Sequence, residues 1–118
     1  MSEINKQNKK PIKIYVINTM TKLEKDQNGF PDFGSERIVG FYKEFKDAED
    51  AVVNNICDIY ETIYNYALIE EVEEGLYNSS LNRWFYKYNK EKDEYEKIEE
   101  PEFLKHYSGF TIGWLGKK

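Results

Sequence analysis

Between residues 47 and 63 the apolar positions fall in steps of three and four. Ala48, Ala51, Val52, Ile56, Ile59, Tyr60 and Ile63 lie on one stripe, interrupted only by Asn55. A repeat of about 3.6 residues predicts an amphipathic helix over residues 47–63, about 25 Å long at the standard helical rise. Asp47 is placed to cap its first free backbone N–H groups, and Glu49 and Asp50 suit the positive end of the helix dipole. A helix with one dry face needs a second layer to cover.

The flanking pattern changes to a period of two. IKIYVI at residues 12–17 is rich in β-branched positions, and Ile12, Ile14 and Val16 would share a face. ERIVGFY at residues 36–42 is a second strand, whose Gly40 marks a bulge or a close backbone approach. Between them residues 18–35 form a long loop, and its Phe30 and Phe33 imply that it folds back onto the body. After the helix, residues 66–72 make a third strand. Residues 83–88 and 94–99 form a hairpin with Trp84, Tyr86 and Tyr88 on one face. Residues 101–106 suit a short helical turn, and residues 109–114 a closing strand or an ordered tail. The expected order is β-β-α-β-β-β: a two-layer α+β fold, with a mostly antiparallel sheet of four to five strands and one helix across a face.

Composition narrows the class. A chain of 118 residues makes one domain, expected at residues 12–116 behind a disordered tail at residues 1–11. One cysteine leaves no internal disulfide, the N-terminus lacks the apolar core of a signal peptide, and no apolar run could span a bilayer. The expectation is a soluble, cytoplasmic protein with no membrane partner. The net charge of −5 hides a split. Residues 1–13 hold four lysines against Glu3, whereas residues 44–102 hold 17 acids against 6 bases. That middle disfavours direct contact with nucleic acid, whose phosphates need a basic footprint, and permits a partner protein with a basic surface.

Along ERIVGFY, DAEDAVVNN, DIYE, YALIEEVEEGLY, RWFYKY, EKIEEP and GFTIG the chain resembles short proteins from Gram-positive bacteria and their phages and mobile elements. The group has no assigned activity or site. The resemblance implies an accessory or counter-defence factor that acts by binding, such as an inhibitor of a host defence protein.

Candidate chemistry is sparse. His106 is the only histidine, which excludes His-rich zinc sites. A Cys57–His106 pair is conceivable, but a mid-helix cysteine is more often an inert, half-buried thiol. No glycine-rich phosphate cradle precedes the helix. Asp58 and Glu61, with Asp50 two turns before Asp58, could hold a divalent cation beside a phosphate. A solvated helix face explains them as well, and no cofactor or metal is expected. Glu73 and Glu74 read as the same kind of solvated pair. Glu70 falls on the side of Leu68 and Val72, where burial would raise its pKa; an edge position that lets it reach water is the favoured reading.

Asn55 interrupts the dry stripe and should tie the helix to a loop backbone, with residues 18–35 the nearest candidate. The same amide, with Tyr60, Trp84, Tyr86 and Tyr88, could instead hold a small nucleotide-like ligand. Ordinary cross-strand packing is the plainer account of those rings. Three functions follow in order: a non-enzymatic binding protein whose acids (Asp50, Asp58, Glu61, Glu70, Glu73, Glu74) meet a basic partner, a small-ligand binder, and a metal-dependent hydrolase. An exposed aromatic patch would also serve a homodimer.

Overall fold

The computed structural model describes residues 11–56, 64–74 and 80–105. Its core is a five-stranded antiparallel sheet built from β1 (Lys13–Met20), β4 (Glu36–Tyr42), β5 (Tyr66–Glu73), β6 (Ser80–Asn89) and β7 (Glu94–Ile98). The strands lie in the order β4-β1-β5-β6-β7. One helix, α1 (Phe45–Val53), connects β4 to β5 and passes over β1 on one face. The α+β sandwich expected from the residue pattern is therefore the observed architecture.

β5 lies in the middle, and positions 67–72 are all buried. A strand covered on both faces has no reason to alternate, which is why YALIEEVE reads as a mostly apolar run. On the α1 face Ile17, Ala67, Ile69, Tyr86 and Tyr95 pack against Ala48, Ala51 and Val52 of the helix. On the other face Met20, Leu68 and Phe85 pack with Phe33 and with Leu104. Leu104 ends a 3-10 turn at Glu102–Leu104. Each large apolar side chain so buried contributes about 1.5–3 kcal/mol relative to exposure.

The helix is shorter than its stripe. It ends at Val53, with Asn55 in the left-handed conformation at φ 58°. Asn55 N–H donates to Val52 O at 2.9 Å and Ile56 N–H to Ala51 O at 2.9 Å. Those two bonds form a Schellman stop, with asparagine in the position that glycine usually takes. Asn55 is thus the terminator of the helix, not an interruption within it. Beyond the stop Ile56 is 54% exposed. Residues 57–63, including Ile59, Tyr60 and Ile63, lie outside the described residues. The start also differs. Glu44 occupies the cap position in an extended conformation without a side-chain bond, and Asp47 sits inside the first turn. There it still complements the helix dipole.

The long loop is partly ordered strand. β1 runs on to Met20, and a small hairpin pairs β2 (Glu24–Lys25) with β3 (Pro31–Asp32). Asp26 holds its turn, accepting from the N–H groups of Asn28 at 2.8 Å and Phe30 at 2.9 Å. Phe33 folds inward as expected, whereas Phe30 at the hairpin tip is exposed. The expected tail, the expected element at residues 109–114 and the Cys57–His106 pair fall outside the described residues.

Candidate interaction surface

Two sheet edges bound the described residues, and they differ. β7 is the charged edge: Glu96 and Lys97 are exposed, and Lys92 Nζ lies 3.3 Å from Glu96 Oε2. Charge on an edge strand discourages further pairing. β4 is the apolar edge. Ile38, Phe41 and Tyr42 are 40%, 60% and 38% exposed, and Ile56 at the end of α1 joins them. Four of the six large apolar side chains that face solvent among the described residues therefore gather around one strand. Scattered apolar residues are ordinary on a surface, but a cluster marks a place where another surface fits.

Between β4 and the end of α1 runs a groove of about 310 Å³, floored by Ile17, Val39, Gly40, Tyr42, Ala51 and Ile56, with Arg37 at its side. α1 holds this position because its opposite flank is tied down. Buried Tyr86 donates through its hydroxyl to Glu49 Oε2 at 2.7 Å, and Lys97 Nζ is 3.0 Å from the same oxygen. With Glu49 turned toward β6 and β7, helical spacing puts Asp47 and Asn54 on the flank toward β4, and Asp50 on the outer crest. Burial tends to raise the Glu49 pKa; the bonds from Tyr86 and Lys97 outweigh it and hold the carboxyl below its ordinary value. Burial first, and then the bond to Glu49, raises the Tyr86 hydroxyl.

The aromatic row does not form an open platform. Trp84 packs on Phe45 at 4.4 Å between ring centroids and on Tyr15 at 6.2 Å. Tyr88 packs on Tyr95 at 5.3 Å, and Tyr86 is wholly buried. Tyr86 cannot stack on a ligand, because the helix lies over it. Asn55 does reach a loop, but the β6–β7 turn and not residues 18–35: its Nδ2 donates to Asp93 Oδ1 at 3.1 Å. Tyr88 hydroxyl donates to the same oxygen. Asn55 Oδ1 is buried and has no hydrogen-bond partner among the described residues.

Nor do the acids share one face. Asp50 is on the exposed crest of α1, 3.5 Å from Lys46 Nζ. Glu73 and Glu74 lie at the far end of β5, where Glu74 Oε1 accepts from Ile12 N–H at 3.3 Å. Glu70 is 1% exposed, so the edge position expected for it is wrong: β5 is the central strand. It stands across from Arg83, whose Nη2 reaches Glu100 Oε2 at 2.6 Å and Leu104 O at 3.1 Å. Glu71 points to the α1 face, accepting from Asn82 Nδ2 at 2.7 Å and Tyr15 hydroxyl at 3.3 Å. Burial and the Glu71 charge raise the Tyr15 hydroxyl above its usual value. Asp58, Glu61 and Tyr60 lie outside the described residues.

A second depression of about 370 Å³ opens where β5 begins and β6 ends, lined by Lys22, Lys87, Lys90, Asn65, Tyr66 and Tyr88, with Glu24 at its rim. The residue pattern disclosed neither surface. ERIVGFY was legible as a strand, but its place at the edge depends on pairings made across the chain. Searches against protein-family models, curated proteins and solved structures found no similar protein.

Proposed function

We propose that this chain is a non-enzymatic binding protein, which docks a partner protein into the groove between β4 and α1. The observation that supports this reading is the exposure of two large apolar side chains that line the groove, Tyr42 on β4 and Ile56 at the end of α1. Apolar side chains supply the contact, and Asp47 and Asp50 on the helix favour a partner with basic residues beside its apolar anchor. The acids contribute as a rim to this groove, not as a single acidic face. The resemblance to phage and mobile-element proteins makes an inhibitor of a host defence protein the setting that fits. The test is the partner's affinity against salt for the wild type and for Asp47→Lys with Asp50→Lys. Exposed charges are screened over about 8–10 Å near physiological ionic strength, so wild-type binding should weaken with salt. The variant should bind more weakly and with a flatter salt dependence. Binding indifferent to both changes would remove the role of the acids.

The lysine-lined depression favours a second reading, a small anionic ligand of nucleotide type held by Lys87 and Lys90 beside Tyr66 and Tyr88. A thermal shift with one member of a nucleotide panel, lost in Lys87→Glu, is the expected sign. No shift at millimolar ligand would end it. A metal-dependent hydrolase has less support. Of the acids it would use, Asp58 and Glu61 lie outside the described residues, and Glu70 faces Arg83.

A further inference from the structure

β4 carries a sidedness that a regular strand does not. Val39 is the extra residue of a bulge: Gly40 pairs with Ile17 and Ile38 with Asn18, and Val39 pairs with neither. Side chains that ordinarily alternate therefore repeat at that point. Glu36, Ile38 and Phe41 share the side of their β1 partners Met20, Asn18 and Val16, away from α1. Arg37, Gly40 and Tyr42 share the α1 side with Thr19, Ile17 and Tyr15, and Val39 joins them by packing on the helix-side core. Outward from the point between Val39 and Gly40, the order of sides is the same in both directions.

We propose that β4 pairs antiparallel with β4 of a second copy of this chain, about a two-fold axis that passes between Val39 and Gly40 perpendicular to the sheet. Such an axis leaves each face of the sheet on its own side, so residues that meet across it must share a side. The bulge satisfies this condition in one register. Moved by one residue, Arg37 would stand opposite Phe41 of the partner subunit, on the other side of the sheet.

In the matched register the contents fit as well as the sides. Ile38 and Phe41, 40% and 60% exposed in the single chain, cover each other across the axis. Arg37 comes opposite the partner's Tyr42, where guanidinium and ring attract. Glu36 comes opposite the partner's Lys43, the residue after the strand, and no like charges meet. Val39 enters the space above the partner's Gly40, where an added Cβ would touch nothing within 4 Å in its own chain. β7 offers no such pairing, since its exposed positions are charged. The axis also keeps both helices on one face, sets the two grooves side by side and leaves Ile56 outside the pairing, so loss of the dimer in Phe41→Lys is distinguishable from loss of a bound partner in Ile56→Asp.

The experiment is sedimentation equilibrium of the full chain over a concentration series up to about 1 mM, the upper end of weak specific association. Wild type should pass from 14.1 kDa toward twice that mass as concentration rises. Phe41→Lys, which sets a charge against Ile38, and Lys43→Glu, which sets two acids opposite each other, should each weaken the dimer roughly tenfold or more. Adding Glu36→Lys to Lys43→Glu should restore it, because the pair is complementary again. Glu36 also accepts from Asn18 Nδ2 at 3.5 Å, so circular dichroism should confirm the fold of the double variant. Lys43 is exposed, and its variant stands alone as a test if the double variant unfolds. A wild type that stays at 14.1 kDa throughout, or a dimer unchanged by Phe41→Lys and Lys43→Glu, would overturn the proposal.

Discussion

Asn55 and Asp93, the two non-glycine residues with left-handed backbones among those described, are hydrogen-bonded to each other at 3.1 Å. One ends α1 and the other sits in the β6–β7 turn, so the two points of backbone strain brace one another. Asn55→Gly keeps the backbone shape and loses the bond, and it should cost at most about 1 kcal/mol. Asn55→Ala loses both and should cost about 1–2 kcal/mol more. Thermal melts of the two variants separate the contributions. Equal melting points for Ala and Gly would show that the left-handed turn is not what matters there.

Tyr86 and Glu49 join helix to sheet through a bond whose two groups respond to pH at opposite ends of the scale. Glu49 titrates below its ordinary value when folded, so its contribution is complete above about pH 4.3 and is lost as pH falls through the folded value. Tyr86 titrates above its ordinary value, so its contribution is complete below about pH 10 and is lost as pH rises beyond that. Tyr86→Phe should cost about 1–2 kcal/mol at neutral pH in urea titrations, toward the low end because Glu49 is partly open to solvent. Glu49→Gln should flatten the loss of stability on the acid side. An acid limb equally steep in wild type and Glu49→Gln would assign that loss to other carboxylates.

Arg83 is 8% exposed at its side chain and holds Glu100 and the Leu104 carbonyl while facing Glu70 across the strand pair. Arg83→Leu leaves buried Glu70 without that charge beside it and should cost about 3–5 kcal/mol. Chemical denaturation measures it directly. A loss below about 1 kcal/mol would mean that the cluster is better solvated than its burial implies.

Gly34 has φ 64°, and any Cβ there would collide with Thr21 Oγ1. That oxygen already accepts from Ser35 N–H at 2.9 Å and cannot move without breaking the loop's anchor. Gly34→Ala should therefore cost about 2 kcal/mol or more, whereas Gly29→Ala, with open space around it, should cost only the backbone term of about 1–2 kcal/mol. Equal melts for the two would contradict the close approach.

Much of the scaffold was legible because burial leaves a period in the chain. The five main strands and the helix announce themselves in that way, and Phe33 declares that its loop turns inward. What was hidden depended on pairing. Glu70 reads by preference as an edge acid that reaches water, and only the central place of β5 shows it to be a core acid. Trp84, Tyr86 and Tyr88 leave a platform open beside the plainer account of cross-strand packing until the helix is set above them. The stop at Asn55 was visible in principle, since an asparagine pair after Val53 is a terminating signal, but the apolar spacing that continues to Ile63 obscured it. The groove and the self-matching side pattern of β4 arise from a bulge and an edge position: Gly40 marks the bulge in the residues alone, whereas the edge position leaves no mark there.

The direct trial of a protein-docking groove is affinity capture from the cells in which the chain acts, with Ile56→Asp beside Phe30→Asp. Both residues are exposed apolar side chains, 54% and 61%, but only Ile56 lines the groove. The same captured protein is expected with wild type and Phe30→Asp, and its loss with Ile56→Asp. A partner retained by Ile56→Asp as firmly as by the wild type would contradict it.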